Sequence, residues 1–331
     1  MIELSAAVKN DLPRIAVSLG DPGGVGPEVA LMAVHNAEIQ SMCTPVLVGD
    51  AAVIEQAARV TGLMTDSVIW REPIDSPRGN YLTGQVHAAN GAFAYTAVCT
   101  AAKMVLNGEA VAMCTAPLNK EAMFEAGYDF PGHTELLAHL CGDLPVRMML
   151  EGGGVRVVLE TIHVGLASVS SMLRIDGIVD TLQMCDAWGQ MFMGIAHPRI
   201  AVCGFNPHAG EGGKFGKEEI VVIAPAVRQA VQKGICACGP LSADTIFHRQ
   251  IQGDFDIVLA MYHDQGLVAV KTVGFDDGVN ITMGLPIIRT SPDHGTAFDI
   301  AGTGKANPAS MICALKRAAQ FASVRAKQVR A

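Results

Sequence analysis

Three histidines stand at or just past apolar runs. His163 follows V-V-L-E-T-I, His208 ends I-A-V-C-G-F-N-P-H, and His263 follows D-I-V-L-A-M-Y. Neutral imidazole nitrogens brought together could hold a divalent metal ion. Spacing alone leaves ordinary surface or core histidines as the other reading. The neighbours are polar and turn-forming: Asn206-Pro207 before His208, and Asp264-Gln265-Gly266 after His263. Loops with such residues after hydrophobic strands are where function is usually carried.

A second group lies close in sequence to His263. Lys271 stands in A-V-K-T, Asn280 in G-V-N-I-T and Arg289 in P-I-I-R-T-S. A lysine, an amide and an arginine together would clamp a phosphate or a carboxylate. The alternative is two ordinary surface charges, but their apolar neighbours call for a charged partner. Asp264, and Asp244 in L-S-A-D-T-I-F, are candidate acid/base groups. Asp244 reads equally as a helix N-cap. His133 and Thr134 fall at the start of a helix in P-G-H-T-E, beside N–H groups that favour anions. The chain has no G-x-S-x-G elbow, no Walker lysine and no H-E-x-x-H.

The elements that would position these groups alternate in type. Strands are expected at Arg14–Leu19, Pro45–Gly49, Ala110–Cys114, Arg199–Gly204 and Asp256–Met261, with shorter ones at Ala269–Thr272 and Asn280–Thr282. Arg147–Leu150 and Val155–Thr161 read as a hairpin around Gly152-Gly153-Gly154. Helices are expected at Val29–Asn36, Ala51–Thr61, Gly84–Asn107, Ile175–Met193, Glu218–Gln232 and Ala309–Lys327. The first strand runs into G-D-P-G-G-V-G-P-E (Gly20–Glu28), which does not fit G-x-G-x-x-G. It reads either as a tight strand-to-helix turn or as a ligand loop.

Composition limits the class. The chain has 331 residues, half of them hydrophobic and only 17% charged, enough for a large α/β core in one domain or two interwoven lobes. The net charge of −8 argues against nucleic acid and against a membrane surface as partners. No stretch is long enough to span a membrane. Nine scattered cysteines without a pairing framework read as reduced thiols in a cytoplasmic protein. Met1–Pro13 has no signal-peptide layout and reads as a short leader.

Taken in order, G-D-P-G-G-V-G-P-E, T-A-P-L-N-K-E-A, P-G-H-T-E, N-P-H-A-G-E-G-G, M-Y-H-D-Q-G, G-V-N-I-T-M-G-L-P-I-I-R-T-S and D-H-G-T-A-F-D-I-A-G resemble the 4-hydroxythreonine-4-phosphate dehydrogenase family of pyridoxine biosynthesis. The resemblance runs from about Arg14 to Met311. It implies a divalent metal (zinc, or magnesium, cobalt or manganese) on His163, His208 and His263. The site would lie at a homodimer interface, with ligands from both subunits. It also implies substrate contacts from His133 and Thr134, and phosphate-end contacts from Lys271, Asn280 and Arg289.

The first and last of these segments also look like isopropylmalate and isocitrate dehydrogenases. By that likeness His294, Gly295, Thr296, Ala297 and Asn307 would bind NAD or NADP. The implied fold is their two-lobed α/β/α architecture, not a Rossmann domain. The cofactor-side lobe would comprise 1–125 with 296–331, and the substrate and dimerisation lobe 126–295. The implied reaction is metal-dependent oxidation of 4-phosphohydroxy-L-threonine to a β-keto acid, which decarboxylates to 3-amino-2-oxopropyl phosphate. Other branches act on D-threonate or D-erythronate 4-phosphate, or on the terephthalate cis-dihydrodiol. A non-catalytic binding protein on the same fold is the reading from a different class.

Overall fold

The structure is a computed structural model that describes residues 12–73, 75–76 and 79–330. Apart from Leu12 and Pro13, the leader read into Met1–Pro13 lies outside the described residues. Among the described residues, eleven strands form one sheet: β1 (Arg14–Ser18), β2 (Thr44–Val48), β3 (Ile69–Arg71), β4 (Ala112–Thr115), β5 (Arg147–Gly152), β6 (Val155–Leu159), β7 (Ile200–Cys203), β8 (Ala237–Leu241), β9 (Ile257–Ala260), β10 (Val279–Met283) and β11 (Ile288–Pro292). Their spatial order is β3-β2-β1-β4-β11-β10-β5-β6-β9-β7-β8. The runs I-A-V-S of β1 and I-V-L-A of β9 are buried throughout, as expected for parallel strands covered on both faces.

Strand direction divides the sheet. From β3 to β11 neighbouring strands are parallel. At β11–β10, β10–β5 and β5–β6 they are antiparallel. From β6 to β8 they are parallel again. Two parallel blocks of opposite direction are therefore stitched through a central antiparallel strip. Strand order reverses between β1 and β4, the kind of switch point at whose carboxyl ends open α/β sheets bind ligands. Within the strip Asn280 pairs with Ser291 and Thr282 with Met148. Cross-strand partners share a face, so polar residues of β10 and β11 and the start of β5 are presented together.

Several elements differ from the sequence expectation. Ala269–Thr272 is not a strand but the end of a helix, His263–Val273. Its buried residues Gly266, Leu267 and Val270 follow helical spacing, which a four-residue window does not reveal. Lys271 therefore sits in a last helical turn. The helix expected from Gly84 begins at Ala88, where the His87 side chain accepts from the Ala89 N–H. The helix of Ile175–Trp188 passes into a π turn, Gly189–Met193. β3, β8 and β11 were not expected as strands. β3 and β8 are the sheet edges, and Pro240 is tolerated in β8 for that reason. β11 hides its pairing behind R-T-S-P, polar residues in a fully buried strand. The hairpin of β5 and β6 forms as expected, with Gly152 opposite Val155.

The first and last sequence motifs meet. The Val25 N–H donates to the Thr296 carbonyl (2.9 Å), and the Gly302 N–H to Glu28 Oε1 (2.6 Å). Gly24 permits this approach, since a Cβ there would stand 2.6 Å from the Thr296 carbonyl oxygen. The same loop supports the segment after β4: the Asp21 N–H donates to the Pro117 carbonyl at 2.9 Å. Among the described residues, no helix is long and apolar enough to cross a membrane.

Asp21 is fully buried, and burial raises its pKa from 3.8 to about 6 against hydrogen bonds from the Gly23 backbone, the Asn90 side chain and the Asn119 backbone. Between those two pH values the folded protein holds a proton that the unfolded chain has lost. Stability should therefore fall as pH rises from about 4 to about 6, by roughly 3 kcal/mol, and level off above. Denaturant midpoints across this window for the parent and Asp21→Asn check it: the parent should lose stability relative to the variant as pH rises. Parallel pH profiles would contradict the assignment.

Candidate functional site

A cavity of about 470 Å³ opens over the central strip. Its floor is Thr115 at the end of β4, Arg289 and Ser291 of β11, Asn280 of β10 and Met148 of β5. His133 and Thr134, at the start of the helix His133–Leu140, form part of its wall, as do Lys271, His163 and His294. All five residues expected to contact substrate thus line one cavity.

Arg289 dominates it. The residue is 2% exposed, and no carboxylate among the described residues pairs with it. Its Nε and Nη2 donate to Thr115 Oγ1 (3.2 and 2.8 Å), and Nη1 donates to Thr282 Oγ1 (3.0 Å). Two of its five N–H groups remain. Burial draws its pKa down to about 10, so the guanidinium is still charged at neutral pH. A buried charge held only by hydroxyls is costly unless an anion completes it. Around it, His133 Nε2, His294 Nε2 and Asn280 Oδ1 are buried without hydrogen-bond partners. Burial, then Arg289 and Lys120, push the His133 pKa well below its usual value, so the ring is neutral. Lys271 is already engaged, with Nζ 3.2 Å from Asp293 Oδ2. The clamp is therefore one unpaired guanidinium, one amide and one lysine shared with a carboxylate.

The histidine loops leave β6, β9 and β7, which are adjacent and parallel, so all three start from the same sheet edge. His163 and His263 come together, with ring centroids 5.9 Å apart, a separation open to two imidazoles on one ion. Burial, then Lys120 and His263, lower the His163 pKa, which keeps its lone pair available. His263 Nδ1 lies 2.7 Å from Asp264 Oδ1, the arrangement by which a carboxylate orients a metal-binding imidazole and leaves Nε2 free.

His208 is not brought to this pair. It stands exposed, with Nδ1 3.9 Å from Asp244 Oδ2. Among the described residues of one chain, no group of three His, Cys, Asp or Glu is arranged to hold a metal ion. Asp244 lies within the first turn of the helix Ala243–Ile251, and the N-cap is Ser242. The turn carrying His208 is unusual: His208, Ala209 and Glu211 all have positive φ (53°, 51° and 41°). Such backbone is strained for L-residues and is typical of functional sites. Buried Glu219 anchors it, accepting from the Asn206 backbone N–H (2.6 Å) and side-chain amide (3.0 Å).

A second, mostly apolar cavity of about 230 Å³ adjoins the first and shares Lys271, Asp293, His294 and Gly295 with it. Val25, Val29, Ile300 and Ala306 line it, with Ala297 and Asn307. A slot of aliphatic walls with a few polar groups suits a flat heteroaromatic ring, so the residues fit a nicotinamide dinucleotide. Of the five expected cofactor residues, Thr296 does not line the slot but fixes the loop through Val25. Charged lining residues that the sequence did not single out are Lys120, Glu135, Asp276 and Asp293. Lys120 follows a buried strand, β4, as the histidine loops follow theirs, and that was its available signal.

The fold defines a class: the two-lobed α/β architecture of the isocitrate and isopropylmalate dehydrogenase type, not a Rossmann domain. The model of the family described as "Pyridoxal phosphate biosynthetic protein PdxA" matches residues 41–318, and the chain belongs to this family. It is 45% identical to the 4-hydroxythreonine-4-phosphate dehydrogenase of Geobacter metallireducens, over 96% of this chain and 97% of that one. It is 41% identical to the D-threonate 4-phosphate dehydrogenase of Pectobacterium atrosepticum, over 93% and 99%. The crystal structure of 4-hydroxythreonine-4-phosphate dehydrogenase from Klebsiella pneumoniae superposes with a TM-score of 0.85 at 40% identity, covering 94% of this chain and 98% of that one.

Because Arg289 lacks a carboxylate partner, Arg289→Met should cost less than about 1 kcal/mol or stabilise the free protein. Removing one member of a buried ion pair instead costs about 3–5 kcal/mol. Denaturation of the ligand-free variant checks this, and a loss in the larger range would show that the guanidinium is already compensated.

Proposed function

We propose that the protein oxidises a 4-phosphorylated hydroxy acid with NAD or NADP, with 4-phosphohydroxy-L-threonine as substrate. The product is a β-keto acid, which loses carbon dioxide to give 3-amino-2-oxopropyl phosphate. The observation that carries this reading is the buried, carboxylate-free Arg289 beside Asn280 and Lys271, in a chain of this family. A dianionic phosphate would use the free N–H groups of Arg289 in charge-assisted bonds. It would also draw Lys271 from Asp293. The phosphate end lies away from the reacting carbon, so its binding energy serves to orient the hydroxyl. D-threonate 4-phosphate is the second reading, supported by the likeness to the Pectobacterium protein.

His163 and His263 would hold the metal, with His208 supplied by the second subunit of a homodimer. When bound, such an ion lowers the hydroxyl pKa and stabilises the enolate left by decarboxylation. Asp264 would orient His263, and Asp244, 3.9 Å from His208 Nδ1, is kept as the second acid/base candidate. His294, Gly295, Ala297 and Asn307 would line the nicotinamide dinucleotide, which accepts the hydride. Exposed Leu166, Phe215, Ile220 and Val221 support the dimer. They flank the His163 and His208 loops, which Ser170 and Glu218 tie together at 2.6 Å. The lobes are assigned as 1–125 with 296–331 on the cofactor side, and 126–295 on the substrate side. Reduced, unpaired cysteines accord with a cytoplasmic location.

A screen of phosphorylated hydroxy acids with both cofactors and divalent metals tests the reading. The phosphorylated acid should be turned over at least about tenfold better, by kcat/KM, than its phosphate-free form, a difference of about 1.4 kcal/mol. Arg289→Lys should raise KM for the phosphorylated acid despite keeping the charge, because the planar fork is lost, and should leave the phosphate-free acid little affected. Equal turnover of a phosphate-free diol acid would transfer the assignment to the dihydrodiol branch. His263→Ala should lower metal content with the fold intact.

A further inference from the structure

The substrate proposed above carries two anionic ends, and the phosphate accounts for Arg289, Asn280 and Lys271. The carboxylate, which the reaction expels, has no partner among them. One cation of the cavity remains, Lys120. It has no ion pair among the described residues. Its stem runs along the P-G-H-T turn, with Cε 3.5 Å from where a Cβ of Gly132 would stand. It lines the same cavity as His133, His163 and Arg289.

The backbone that carries Lys120 is fixed. Asn119 caps the short helix Lys120–Glu125 by accepting from the Ala122 N–H at 2.8 Å, and Asp21 holds Pro117.

We propose that Lys120, the cation of this cavity without an ion pair among the described residues, binds the carboxylate of the substrate; this rests on the phosphorylated hydroxy-acid reading. An ammonium suits the role better than a guanidinium. It is a hydrated point charge on a flexible stem, without the bidentate grip of arginine. In decarboxylation the bond between the carboxylate carbon and its neighbour breaks. The electron pair passes into the enolate, neutral carbon dioxide leaves, and solvent later supplies the proton. A tight grip on the carboxylate would favour the ground state over the transition state, in which that charge departs. A single solvated lysine positions the acid and lets the product go.

The test is calorimetric titration of the metal-loaded dimer with the 4-phosphorylated hydroxy acid and with its carboxamide, for the parent, Lys120→Met and Lys120→Arg. The parent should prefer the acid by about tenfold or more, about 1.4 kcal/mol. Lys120→Met should remove the preference while leaving carboxamide affinity unchanged, and Lys120→Arg should keep most of it. In turnover, Lys120→Met should raise KM far more than it lowers kcat. A variant that keeps the preference, or weakens acid and carboxamide equally, would overturn the assignment. A parent that binds neither phosphorylated compound would overturn the substrate reading beneath it, which separates the two failures.

Discussion

A positive charge is buried at the centre of an eleven-stranded sheet with only hydroxyl groups to hold it. Arg289 lies in β11, at the boundary where the parallel block of β1 and β4 gives way to the antiparallel strip. Thr115 comes from one side of that boundary and Thr282 from the other. The guanidinium thus joins the two halves of the sheet while its remaining N–H groups stay available. Filling the position with a carboxylate would satisfy the charge and abolish the site. Stability and anion binding oppose each other here, as they commonly do where a protein holds polar groups ready for a ligand.

The loops are arranged around this point by strand direction. β6, β9 and β7 run parallel and send the histidine loops off one edge. β4 sends T-A-P-L-N-K from the opposite block, and G-D-P-G-G-V-G-P-E underpins that segment through Asp21. The two sources of loops meet over the antiparallel strip, where side chains of β10 and β11 form a polar floor. One chain gathers the Arg289 cluster and the apolar slot but brings only two of the three histidines proposed as metal ligands together. The third is held in a left-handed turn braced by Glu219. The proposed homodimer would give this strained turn and its exposed imidazole a use.

Much of this was legible in the sequence, for identifiable reasons. The apolar runs of β6, β7 and β9 were short but readable as buried strands, so the histidines could be placed just past strand ends. His133 and Thr134 were found in a polar turn at a helix start, and Asn280 and Arg289 because polarity or charge interrupted an apolar context. Lys271 was found as a group but misplaced as strand, since A-V-K-T contains too few residues to separate a period of two from 3.6. β11 was hidden because its functional residues remove the hydrophobic signal that marks a buried strand. Lys120 was missed because a lysine opening a helix resembles ordinary surface, and only the tertiary fold turns it inward. The separation of His208 from the other two histidines is a tertiary feature and leaves no trace in local sequence.

The central claim is that the unpaired guanidinium of Arg289 is the receptor for the phosphate of the substrate. A crystal structure of the metal-loaded protein with a 4-phosphorylated hydroxy acid tests it most directly. The account predicts phosphate oxygens within hydrogen-bond distance, about 2.7–2.9 Å, of the Arg289 guanidinium, with Asn280 and Lys271 completing the shell and the Thr115 and Thr282 bonds retained. A phosphate bound elsewhere, with Arg289 still contacting only the two threonines, would contradict it.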